Sequence, residues 1–109
     1  MPAFTPRIVV VTASSLDEAR VLAAAILAKR QAACVNIVPG VESHYWWQGK
    51  LEQGSEVLLL IKTSAEQFDA VAETVRANHS YECPEIVALA PHEMAPAYRA
   101  WWQSELRES

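Results

Sequence analysis

The stretch ACVNIVPGVESHYWWQGKLEQGSEVLLLIKT, residues 33–63, reads as strand, reversal and strand with no helical interlude. Ala33 to Gln48 makes a first arm through Val35, Asn36, Ile37, Val41 and the aromatic run Tyr45, Trp46 and Trp47; Glu56 to Thr63 makes a second. Gly49 to Gly54 is the expected reversal. Pro39-Gly40 interrupts the first arm, and because proline cannot donate to a ladder, a bulge or bend is expected there. At ~3.3 Å per residue the first arm would span roughly 53 Å, about three times a typical strand. It is too long for the second arm, so its aromatic overhang predicts contact with a neighbouring subunit.

Helix-type patterns flank this hairpin. Arg7 to Thr12 is a β-branched run apolar at both parities, as a strand covered on both faces requires. Ser15-Leu16-Asp17-Glu18 then forms a capping box, with Ser15 capping the Glu18 amide and the Glu18 side chain expected to return to the Ser15 amide. Ala19, Leu22, Ala23, Ile26 and Leu27 follow at helical spacing, and Lys29 and Arg30 close the helix where cations suit its dipole. A second capping box, Ser64-Ala65-Glu66-Gln67, opens a helix with Phe68, Val71, Ala72 and Val75 on one face, ending near Asn78. Glu85 to Ala90 reads as a short strand, and Pro96 at a first helical position starts a last helix bearing Tyr98, Trp101 and Trp102.

The order βαββαβ with an extra C-terminal helix predicts an α+β, ferredoxin-like antiparallel sheet carrying both main helices on one face. Period-2 counting puts Val57, Leu59 and Ile61 on one side of the third strand and Glu56, Leu58, Leu60 and Lys62 on the other, while Ile8 and Val10 oppose Val9 and Val11. Two helices cover only one of these apolar faces, so the other predicts association through the sheet.

A chain of 109 residues is expected to form a single domain, residues 1–109. The net charge of −4, with no basic run, argues against nucleic acid or an anionic membrane as partner. The N-terminal segment lacks an apolar signal core, and Ile8 to Val11 is far too short to cross a bilayer, so a cytoplasmic location is expected. Cys34 and Cys83 form neither a CxxC pair nor a secreted framework and are expected to be reduced thiols. Signatures of hydrolases, nucleotide-binding loops and HExxH metalloproteases are missing, so no enzyme activity is expected.

Ala33-Cys34-Val35-Asn36-Ile37 with Pro39-Gly40, then Tyr45, Trp47, Gly49, Glu56, Lys62-Thr63, His79, Tyr81, Pro84 and Glu85, resemble the CutA divalent-cation tolerance family, and Tyr98 and Trp101 carry the resemblance to the C-terminus. The resemblance implies a homotrimer of ferredoxin-like subunits, similar to the PII signalling proteins, with sheets facing inward and long hairpins touching neighbouring subunits. It also implies a link to copper and other divalent metals. One position departs: Ser80 stands where the family pattern has proline, so the loop before Tyr81 lacks that fixed φ.

His79, Glu82 and Glu85 lie three apart around Cys83 and Pro84, a mixture of imidazole, carboxylate and thiol suited to zinc or copper. The plainer alternative is that His79 ends a helix, Tyr81 packs and the glutamates are solvated. Cys34 shares a strand face with Asn36 and either faces a cleft or is a small buried thiol. Lys62, an ammonium ending an apolar strand, calls for an anionic partner such as Glu85 or Glu56. The four tryptophans either fill interfaces or line a pocket, and His44 and His92 read as surface residues. The expected function is a homotrimer that binds a divalent metal ion, copper or zinc, or a small ligand, in clefts between subunits. His79 and Cys34 are the candidate metal ligands, Lys62 and Glu85 a polar clamp, and Tyr81 a wall. The alternative is a PII-like signalling or scaffold trimer that binds a protein partner through the long hairpin and its Trp46-Trp47 pair.

Overall fold

The computed structural model describes residues 3–107. Strand β1 (Pro6–Ala13) is followed by α1 (Leu16–Ala28), the hairpin β2 (Cys34–Trp47) and β3 (Lys50–Ser64), a 3₁₀ turn (Ala65–Gln67), α2 (Phe68–Asn78), β4 (Val87–Leu89) and α3 (Pro96–Glu105). The expected βαββαβ order with a terminal helix is present, with β4 cut to three residues. The sheet order is β2-β3-β1-β4 with every pairing antiparallel, the split βαβ arrangement.

Local chemistry accounts for these elements. Ser15 Oγ accepts from the Glu18 amide at 3.1 Å, and Ser64 Oγ accepts from the Gln67 amide at 3.2 Å, so each serine caps the helical segment it precedes. Neither box closes reciprocally as expected. Glu18 turns to Ser14 and Ser80, and the Gln67 side chain donates to the Arg107 carbonyl. Arg30 lies past the end of α1 at φ 52°, and its guanidinium meets Glu105 of α3 at 3.3 Å instead of the helix end.

The hairpin differs from expectation at its turn. The reversal is Gln48-Gly49, with φ 50° and 78°, the double positive φ of a tight two-residue turn. Gly54 lies within the ladder opposite Ser43, so β3 begins at Lys50 and matches β2 residue for residue up to the bulge. The overhang is therefore a paired two-stranded arm: β1 meets β3 only from Val57 to Ser64, and the ribbon beyond carries Trp46 and Leu51, 73% and 65% exposed. The register shift falls between Val38 and Val41, where Pro39-Gly40 was expected to break the ladder.

Val9, Val11, Val57, Leu59 and Ile61 fill the core with Ala19, Leu22 and Ile26 of α1 and Val71 and Val75 of α2. The core holds one polar string: Thr63 Oγ1 donates to the Gln31 carbonyl, and Thr74 Oγ1 donates to Gln31 Oε1 at 2.8 Å. Trp102 pins α3 to the end of the inner strand β3, only 2% exposed and with its indole N–H donating to the Thr63 carbonyl at 2.9 Å. The opposite face carries Ile8, Val10, Leu58 and Leu60, all partly exposed, with Val38, Val87 and Leu89 between 41% and 52% exposed. Among the described residues no helix covers this face the way α1 and α2 cover the other.

Candidate functional site

A cleft of about 300 Å³ opens where the distal hairpin meets the loop between α2 and β4. Thr12, Tyr45, Trp47, Glu56, Tyr81, Glu82, Cys83 and Glu85 line it. The bulge decides which aromatics take part. Before it, Cys34, Asn36 and Val38 share the outer sheet face with Lys62, Leu60 and Leu58; after it, Val41, Tyr45 and Trp47 pair with Glu56, Glu52 and Lys50 on that same side. One inserted step changes the parity from even to odd, sending Tyr45 and Trp47 to the cleft and leaving Trp46 on the far side of the ribbon.

His79 is the hub of the loop. Its side chain is fully buried, Nε2 lies 2.7 Å from the Thr12 carbonyl, and Nδ1 lies 3.0 Å from the Tyr81 amide nitrogen. The carbonyl can only accept and the amide can only donate, so the ring is a neutral imidazole protonated at Nε2, with both nitrogens engaged. Tyr81 stacks obliquely at 4.7 Å from the imidazole and donates its hydroxyl to Glu56 Oε2 at 2.9 Å. Burial, the Glu56 hydrogen bond and the Glu56 charge push the Tyr81 hydroxyl up to about 12, so it stays a donor at neutral pH.

Glu18 fastens the loop from beneath. Oε1 accepts from the Ser14 amide at 2.9 Å and its hydroxyl at 3.1 Å, while Oε2 accepts from the Ser80 amide at 2.8 Å. Burial works against the charge, but these hydrogen bonds outweigh it and bring the Glu18 carboxyl down to about 2.

The predicted site residues separate into two places. Tyr81 and Glu85 line the cleft, and His79 supports it from behind. Cys34 and Lys62 are cross-strand partners at the other end of the sheet, beside Ile8. Four residue steps along β1, from Ile8 to Thr12, separate that row from the cleft, a distance of roughly 13 Å along the strands. The Cys34 thiol has Asn36 Oδ1 at 3.9 Å, and Cys34 and Cys83 are both free. Lys62 meets neither Glu85 nor Glu56; it donates to the Tyr98 hydroxyl at 2.9 Å and lies 5.3 Å from that ring's centre, because α3 brings Tyr98 over the strand end.

Among the described residues no group of three His, Cys, Asp or Glu side chains converges to hold a metal ion. One subunit therefore does not fit the metal unaided. Sequence reading also passed over Tyr45 and Glu56 as cleft residues and Glu18 as an anchor of the loop, while of the four tryptophans offered as interface or pocket residues Trp47 lines the cleft; the parity change at Pro39-Gly40 was the available signal for placing the aromatics. No helix among the described residues is long and apolar enough to cross a membrane.

Comparison with known proteins gives a consistent result. Residues 7–105 match the family described as CutA1 divalent ion tolerance protein. The Thermus thermophilus divalent-cation tolerance protein CutA is 46% identical over 94 residues, which cover 86% of this chain and 91% of that protein. The chloroplastic CutA 1 of Oryza sativa is 46% identical over 105 residues, covering 95% of this chain, which spans 59% of that longer protein. Among solved structures, the Thermus thermophilus protein superposes with a TM-score of 0.91 at 42% identity, covering 94% of this chain and 99% of that one. The Oryza sativa CutA1 gives 0.91 at 45% identity, covering 97% and 98%. With the family's pattern matched from β1 to the end of α3, the chain belongs to the CutA1 divalent ion tolerance protein family.

Proposed function

We propose that this protein acts as a homotrimer, PII-like in architecture, that binds a divalent cation or a small ligand in clefts between its subunits and contributes to metal tolerance by binding without turnover. The observation that carries this reading is the uncovered apolar sheet face, with a carboxylate- and thiol-lined cleft at one end and Cys34 at the other. Closure of that face between subunits would bury it, and a rotational arrangement would bring the Cys34 end of one subunit toward the cleft of the next. Divalent-cation tolerance is in the names of relatives at 38% to 46% identity. Thiol, imidazole and carboxylate donors suit zinc or copper.

In this proposal Cys34 and His79 remain the metal ligands, with His79 Nδ1 exchanging the Tyr81 amide for the ion, and Glu85 and Lys62 supply opposite charges from facing subunits. The free thiols are consistent with function in the reducing cytoplasm. Native mass spectrometry of untagged protein, followed by zinc and copper titration of wild type, Cys34→Ala and His79→Ala, tests it. A trimer whose affinity drops at least tenfold in both variants supports the reading; a monomer, or unchanged affinity in both, refutes it.

The exposed hairpin tip favours a second reading. Trp46 and Leu51 form a cross-strand pair on the ribbon's far side and are among the most exposed large apolar residues. A PII-like scaffold would use this tip to hold a protein partner, and equal partner recovery by wild type and Trp46→Ala/Leu51→Ala would sink that reading.

A further inference from the structure

The loop from His79 to Ile86 supplies half of the cleft lining, yet no helix or strand runs through it. Its order comes from a few bonds. His79 anchors it to Thr12 of β1, Tyr81 anchors it to Glu56 of β3, and the Ser80 amide anchors it to Glu18 of α1.

The Glu18 carboxylate is well prepared for that task. Its first oxygen is fixed by two donors from Ser14, so the second is held ready for Ser80 rather than swinging in solvent. The side chain is only 11% exposed. His79 meanwhile adopts φ −102° and ψ 143°, the extended conformation demanded of a residue that precedes proline. The residue before position 80 thus already has the conformation a proline there would require of it, but the residue at 80 is serine, whose N–H a proline would lack.

We infer that Glu18 is a positioning residue for the cleft, holding the Ser80-Tyr81 segment by hydrogen bonds where a proline at position 80 would hold it covalently. Ser80 then leads directly into the Tyr81 amide on His79 Nδ1 and the Tyr81 hydroxyl on Glu56. Losing the Glu18 bond frees the backbone immediately before Tyr81, so the cleft wall drifts although the core is intact. The functional meaning rests on the cleft being the binding site proposed above.

Amide hydrogen exchange at Tyr81, measured by NMR in wild type, Glu18→Ala, Ser80→Pro and the double variant, tests the inference, with zinc titration of each protein alongside. Loss of a hydrogen bond to a charged group is expected to speed Tyr81 exchange about tenfold in Glu18→Ala. Ser80→Pro should restore it in the double variant to within about threefold of wild type by fixing φ. Rescue by proline separates positioning from a general stability effect, because proline replaces neither the charge nor the Ser14 bonds. Unchanged exchange in Glu18→Ala, or a double variant as fast as Glu18→Ala, overturns the inference. Should Glu18→Ala fail to fold, Glu18→Gln serves with the same two criteria, its single carbonyl oxygen replacing two acceptors. Rescued exchange with one zinc affinity across all four proteins upholds the positioning role and counts against the cleft as the metal site.

Discussion

Acid should expose the contribution of Glu18 to stability. Its carboxyl ionises at about 2 in the folded protein against an ordinary 4.5, the net result of burial opposed by hydrogen bonds from Ser14 and Ser80. At ~1.36 kcal/mol per pH unit that difference corresponds to roughly 3 kcal/mol, and allowing for partial solvent screening leaves about 2 kcal/mol. The sign follows from proton binding: the unfolded chain takes up a proton near 4.5 while the folded one resists until about 2. The stabilisation is therefore complete above 4.5 and disappears as pH falls toward 2. Urea unfolding of wild type and Glu18→Gln at one fixed protein concentration, at steps from pH 7 to pH 2, measures it. The gap between the two proteins should be about 2 kcal/mol at pH 7 and shrink by more than half by pH 2. A gap that holds constant over this range would show that the charge contributes nothing and that only shape is felt.

Three further outcomes follow from the packing. Leu59→Ala, in the core at 0% exposure, should cost about 2–5 kcal/mol in chemical denaturation, and a loss below about 1 kcal/mol would contradict the assigned core face. Leu60→Asp, one residue along on the uncovered face, should leave the subunit folded but shift light-scattering mass to the monomer; an unchanged mass would refute association through that face. Tyr81→Phe removes a hydroxyl raised to about 12, so the stability that wild type loses as pH climbs from 10 to 12 should be lost less steeply in the variant, as thermal melts in that range would report.

Much of the fold was legible because it depends on short-range chemistry. Ser15 and Ser64 announce their helical segments by side-chain reach, Pro96 occupies a first helical turn, and the two parities of β3 separate its two apolar faces, of which the structure buries the one carrying Val57, Leu59 and Ile61. The turn was misplaced because two glycines compete for it, and only the positive φ of Gln48 beside Gly49 decides between them. Long-range side-chain choices were not legible. Glu18 belongs by local pattern to a capping box, but its carboxylate finds Ser80, 62 positions away, a stronger use for its second oxygen. Lys62 likewise called for a carboxylate on a neighbouring strand and found the Tyr98 hydroxyl, since the placement of α3 depends on Trp102 and the core beneath it.

The bulge at Pro39-Gly40 ties these separate observations together. Without the register shift, strict alternation from Cys34 would carry His44 and Trp46 onto the outer face and turn Tyr45 and Trp47 away from Glu56. The cleft would then lose two of its aromatic walls, and the residues at its far edge would face solvent on the wrong side of the ribbon. Gly40 holds φ 78°, a conformation that a β-branched residue resists, so the interruption that makes β2 a poor regular strand also directs its aromatics. A local defect in the ladder thus decides which face of a long hairpin meets the loop fixed by Glu18 and His79. The site is built where two irregular segments, the bulged strand and the helix-to-strand loop, are each anchored to the same regular sheet.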